Sequence, residues 1–165
     1  MIITGNLTMV QRRKKRVTEI EIFVSDEVID IFPVPQERIG TFAEKVITDS
    51  GIESYDVNVV FVDNTKMTGL NESYKKRTGA TDVLSFNLSD DTSGILEGEV
   101  YISLERALEQ ASELGVSGEE EIIRLVTHGL LHLAGRTHSN DDDLRSMTSE
   151  TETFVRNYFE NGDGY

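Results

Sequence analysis

Apolar and polar positions alternate from Val17 to Val24, with Ile20, Ile22 and Val24 on one side and Glu19, Glu21 and Phe23 on the other. That period of two predicts a half-buried strand. Pro33 and Pro35 break the chain, and past them Ile39, Phe42, Val46 and Ile47 recur at the spacing of an amphipathic helix of about three turns, which Gly51 closes. Tyr55 to Val62 alternates and then becomes continuously apolar, as an inner strand covered on both faces requires. Asn64 can cap a short helix whose stripe is Met67, Leu70 and Tyr74 and whose end carries Lys75, Lys76 and Arg77. Thr81 to Ser89 reads as a third strand with Leu84, Phe86 and Leu88 on one face. An acidic loop, Asp90 to Gly98, leads to a short fourth strand, Glu99 to Ser103.

Three helices complete the pattern. Leu104, Ala107, Leu108, Ala111 and Leu114 define the first, stopped by Gly115. Ser117 and Glu120 are spaced as a capping box for the second. That helix is apolar nearly all round through Ile122, Ile123, Leu125 and Val126, so it belongs at the centre. Asn140, or one of Asp141, Asp142 and Asp143, caps the last, with Leu144, Met147, Thr151, Phe154, Val155 and Tyr158 facing inward. The order predicts a single α+β domain, a small mixed sheet of about four strands with packed helices. We expect residues 1–16 to form a flexible basic extension, 17–160 one catalytic domain, and 161–165 a frayed tail.

Composition narrows the chemistry. The 165 residues include no cysteine, so disulfides and thiolate ligands are excluded, and a metal must be held by imidazole, carboxylate or backbone oxygen. No run is long enough for a membrane span, and the N-terminus lacks the order of an export signal, so a cytoplasmic protein is expected. The net charge of −14 argues against a polyanionic partner at first sight. Its distribution matters more than its sum: of sixteen Lys and Arg, eight lie in the clusters Arg12 to Arg16 and Lys75 to Arg77. On charge alone, these read more simply as a solvated arm and a helix end that complements the helix dipole.

All three histidines fall within HGLLHLAGRTH, at His128, His132 and His138. The first two stand one helical turn apart on one face, and Gly135 lets the chain swing His138 back toward them. The spacing is that of the metzincin metalloproteases, HExxHxxGxxH, and predicts a metzincin-like metal-binding helix. The protease glutamate is absent, because Gly129 stands in its place. A metal hydrolase that is not such a protease follows. Imidazole suits zinc, nickel, copper and iron, and one Zn2+ leads, with Ni2+ the other divalent candidate.

With LNESYKKRTGATDVLSF (Leu70 to Phe86) and GEVYIS (Gly98 to Ser103) added to HGLLHLAG, the chain resembles the YbeY-type rRNA-maturation endoribonucleases over about Val57 to Met147. The resemblance implies one zinc ion held by His128, His132 and His138, and single-strand-specific endoribonuclease activity. It also implies action on rRNA of the small ribosomal subunit, in 16S 3′-end maturation and ribosome quality control; no membrane or DNA partner is expected. Where the family has an arginine after the tyrosine of LN…Y, this chain has Lys75, a compact charge in place of a bidentate fork. Lys75 and Arg77 are thus the candidates for contact with the scissile phosphate. Arg136 and Thr137 replace the family's tyrosine and aspartate before the third histidine. That leaves Asp141, Asp142 or Asp143 as substitute carboxylates beside the metal, although a helix cap is their simpler role. Asn71, Ser85 and Glu99 also match family positions and read as structural. Two other readings stand beside the nuclease: a metal-dependent peptidase or other hydrolase, and a non-catalytic ribosome-associated metal-binding protein.

Overall fold

A computed structural model describes residues 15–75 and 81–161. Four strands, β1 (Thr18–Val24), β2 (Tyr55–Val62), β3 (Val83–Asn87) and β4 (Leu96–Ser103), form one sheet in the order β1-β2-β4-β3. β1 and β4 both run parallel to β2, while β3 runs antiparallel to β4 at the edge, so the sheet is mixed. The helices are α1 (Gln36–Asp49), α2 (Asn64–Leu70), α3 (Leu104–Leu114), α4 (Gly118–Leu133) and α5 (Asp141–Glu160), with a π-helical segment, Asn71–Lys75, extending α2. The α+β organisation is the one the pattern predicts.

α4 is the centre of the fold. Ile122, Ile123, Leu125, Val126, Leu130, Leu131 and Leu133 are all buried, in one core with Phe42 and Val46 of α1, Val57, Val59 and Phe61 of β2, and Phe154 and Tyr158 of α5. Each such side chain contributes about 1.5–3 kcal/mol by leaving water, so the helix that carries the histidines is firmly held. The Ser117 hydroxyl accepts from the Glu120 N–H at 3.1 Å, which starts α4 as expected. The Glu120 carboxylate instead takes Arg124 Nη2 at 2.8 Å.

Several expectations shift in detail. Tyr55, Val57, Val59 and Phe61 of β2 are buried under the helices, but Asp56 on the other face is exposed and Asn58 and Val60 are only half-buried. α2 covers just one end of that second face, through Met67 against Val62 and Leu84. Asp63 caps α2 in place of Asn64, accepting from Lys66 N–H at 2.8 Å; Asn64 Oδ1 instead accepts from the Ser103 hydroxyl at 2.6 Å. Tyr74 leaves the apolar stripe and is 68% exposed, because the π turn adds a residue and rotates it outward onto the edge of Phe86. Leu88, just past β3, Leu114, the last residue of α3, and Leu144, in the first turn of α5, are exposed, although the apolar pattern includes all three. β4 begins at Leu96, earlier than predicted, because pairing with Tyr55 of β2 extends it.

Candidate metal centre

α4 delivers His128 and His132 from its last turns, and a Schellman closure then turns the chain. Gly135 N–H donates to His132 O at 3.0 Å and Arg136 N–H to Leu131 O at 2.9 Å, with Gly135 at φ +97°, a conformation that a side chain strains. Asn140 Oδ1 accepts from Asp143 N–H at 2.9 Å and starts α5. His138 is carried on the short connection between these two caps.

The three imidazoles meet. Each offers a nitrogen, and the three nitrogens lie within 4.8 Å of one another; His128 and His132 are half-buried and His138 is exposed. The Nε2 atoms of His128 and His132 are 3.1 Å apart, and ring centroids are separated by 4.7, 4.7 and 6.1 Å. Nitrogens bound at about 2.0–2.1 Å to a tetrahedral ion sit roughly 3.3 Å from one another, so the set fits a single ion with one position left open. Burial pushes the His128 imidazole below its usual range, opposed by the Asp82 charge and aided by His138. Burial thus favours the neutral, ligating form.

The histidines border a cleft of about 520 Å³ whose walls include Asn71, Asp82, Ser85, Asn87, Leu133 and Arg136. Asp82 had not been singled out from sequence, yet it is the one carboxylate in the cleft wall among the described residues. Its Oδ1 accepts from Val83 N–H at 2.8 Å and its Oδ2 from the Gln110 amide at 3.1 Å. Being the acid of TDVLSF was its only sequence signal. Ser85 donates to Gly129 O at 2.8 Å, joining β3 to α4 beside His128. Asn71, nearly buried, brings the LN…Y segment to the cleft. Glu99 lies on the opposite face of the sheet, where it accepts from the Tyr101 hydroxyl at 2.9 Å.

Asp141, Asp142 and Asp143 occupy the first turn of α5, and none lines the cleft. Asp143 is engaged by Ser139 and Asn140, at 3.0 and 3.2 Å. The cap role holds. Lys75 ends the π-helical segment; its side chain, and Arg77 entirely, lie outside the described residues, as do Arg12, Arg13 and Lys14. At Gly129 the structure adds a packing reason to the missing glutamate. A Cβ there would overlap Val100 Cγ1 and stand 3.1 Å from Val83 Cγ2.

A central helix and its closing turn that converge three imidazoles on an open cleft define an α+β metalloenzyme of the three-histidine class. The sequence family described as Endoribonuclease YbeY matches residues 12–158, and the chain belongs to that family. The Endoribonuclease YbeY of Aquifex aeolicus is 35% identical over 123 residues, 74% of this chain and 82% of that protein. Its counterpart in Clostridioides difficile is 37% identical over 139 residues, 78% of this chain and 91% of that protein. A solution structure of a Thermotoga maritima protein superposes with a TM-score of 0.60 at 26% identity, covering 87% of this chain and 91% of the other.

Proposed function

We propose that this chain is a metal-dependent, single-strand-specific endoribonuclease acting on rRNA of the small ribosomal subunit. Its tasks in this reading are 16S 3′-end maturation and ribosome quality control, in the cytoplasm. The observation that carries the reading is the convergence of His128, His132 and His138 on one open cleft in a member of a family named for endoribonuclease activity. Among the described residues no helix is long and apolar enough to cross a membrane.

The donor set favours Zn2+, with Ni2+ the alternative. When bound, the ion supplies Lewis acidity toward a phosphoryl oxygen and lowers the pKa of water to about 7. The histidines hold it with neutral imidazoles, and the turn at Gly135 fixes where His138 stands. Proton acceptance falls to Asp82, because Gly129 occupies the protease base's position and no other carboxylate lines the cleft among the described residues. Lys75 and Arg77 hold the scissile phosphate in this reading. What supports Lys75 is that it ends the segment whose Asn71 reaches the cleft.

The peptidase reading loses ground on packing as well as on sequence, since a Cβ at 129 would overlap Val100 Cγ1 of β4 and a side chain there requires the packing to shift. The test is a substrate panel: zinc-loaded protein, freed of contaminating nuclease, with single-stranded RNA, duplex RNA and a peptide library. Cleavage of single-stranded RNA alone is expected. Peptide turnover without RNA cleavage would reverse the order of the readings, and RNA binding without any cleavage would favour the non-catalytic one.

A further inference from the structure

Arg136 entered as a departure from the family pattern with no role attached. In the structure it lines the cleft, and it is the one cation to do so among the described residues. Both ends of the residue are fixed. Its N–H closes the turn after α4 on Leu131 O at 2.9 Å. Its guanidinium lies against Glu150 of α5 through Nε to Oε2 at 3.1 Å and Nη2 to Oε1 at 3.2 Å. This two-point pairing spends one edge of the fork. Nη1 has no hydrogen-bond partner among the described residues, so the Nη1–Nη2 edge remains available to a second oxyanion.

We propose that Arg136 is a substrate-binding residue, a guanidinium oriented by Glu150 that grips a backbone phosphate of the RNA beside the three histidines. The inference rests on the nuclease reading. Four considerations carry it. A chain of net charge −14 needs a local cation wherever a polyanion is to approach. Glu150 does not line the cleft, so the carboxylate holds the arginine from behind without presenting its own charge to the substrate. The pair is also partly exposed, with side chains 41% and 30% accessible, so the ion pair is weak and the outer edge of the guanidinium can be reached by a second anion. A planar fork already immobilised loses little freedom on binding, which a free lysine cannot match.

The competing explanation is mechanical: the ion pair ties the loop carrying His138 to α5. Arg136→Gln and Glu150→Gln both cut that tie, but only the first removes the positive charge. The probe is a short single-stranded 2′-O-methyl oligoribonucleotide, which offers phosphates but no 2′-hydroxyl, with zinc content of each protein measured alongside. R136Q is expected to bind roughly tenfold more weakly, the loss typical of one charge-assisted hydrogen bond, while retaining its zinc. Its dependence of log affinity on log salt should be shallower by about 0.7, one phosphate contact on a single strand. E150Q should keep the wild-type slope and lose less affinity. Equal effects of R136Q and E150Q, or a wild-type salt slope in R136Q, would overturn the proposal and leave a tether. If the wild type itself neither binds nor cleaves single-stranded RNA, the nuclease reading fails and this inference falls with it.

Discussion

Ser85 of β3 donates a 2.8 Å hydrogen bond to the carbonyl of Gly129, the residue directly after the ligand His128 on α4. The bond is made because α4 approaches the sheet so closely that Val100 and Val83 crowd the glycine. The metal helix is thereby seated on β3, which lines the cleft, and on β4 beside it. Its histidines are set by packing in the core, and a loop contributes only the third.

Gly129→Ala decides whether that approach is tight. Alanine gains about 1 kcal/mol of helix propensity over glycine in an open helix interior. Overpacking a filled core costs about 1–3 kcal/mol, and here it should win. A lower melting temperature by a few degrees is expected, at roughly 2–4 °C per kcal/mol for a domain of this size. A stabilised variant would show that the helix can ride away from β4.

Gly135→Ala tests the turn. At φ +97° a Cβ is strained by about 1–2 kcal/mol, and the chain can relax only by moving the segment that carries His138. Stability and zinc affinity should fall together. Normal zinc affinity in G135A would mean that the ligand position does not depend on this closure.

Glu121 gives a pH signature away from the metal. It is almost fully buried in α4, and desolvation raises its carboxyl above the ordinary value, although Arg124 Nη1 at 2.6 Å pulls the other way. A raised folded pKa means the native state holds more protons than the unfolded chain between the ordinary carboxylate value and the raised one. Stability contributed by this group therefore falls as pH rises through that window. Glu121→Gln removes this contribution, so the difference in unfolding free energy between E121Q and wild type should shift in favour of E121Q as pH rises above the ordinary carboxylate range. A difference that stays flat, or moves the other way, would mean the Arg124 pair outweighs burial.

Asp82→Asn keeps the shape and the bond from Val83 N–H but removes the base. Single-stranded RNA cleavage should drop by about 10²-fold or more, with zinc content and oligonucleotide binding near wild type. Cleavage within a factor of two of wild type would take the proton-accepting role away from Asp82.

What the sequence made legible follows from range. His128, His132, Gly135 and His138 sit within one helix and its closing turn, so local periodicity and ligand spacing brought them together without knowledge of the sheet. The α4 stripe, the Ser117 cap and the strand alternation are equally local. Asp82 and the Arg136–Glu150 pair were hidden because each depends on tertiary placement: β3 laid against α4, and α5 folded back beside the turn. The π turn at Asn71–Lys75 could not be read from a stripe drawn at α-helical spacing, which is why Tyr74 was assigned inward. Leu144 faces solvent in the first turn of α5, as Leu88 and Leu114 do near the ends of β3 and α3, because hydrophobicity reports burial poorly where the covering layer stops.

The most direct measurement is cleavage of single-stranded RNA by wild-type protein and by His128→Ala, His132→Ala and His138→Ala, before and after chelation and zinc readdition. The three-imidazole centre predicts one zinc per wild-type chain, activity lost on chelation and restored by zinc, and no restoration in H128A or H132A. Undiminished cleavage by H128A, or activity indifferent to chelation, would contradict it.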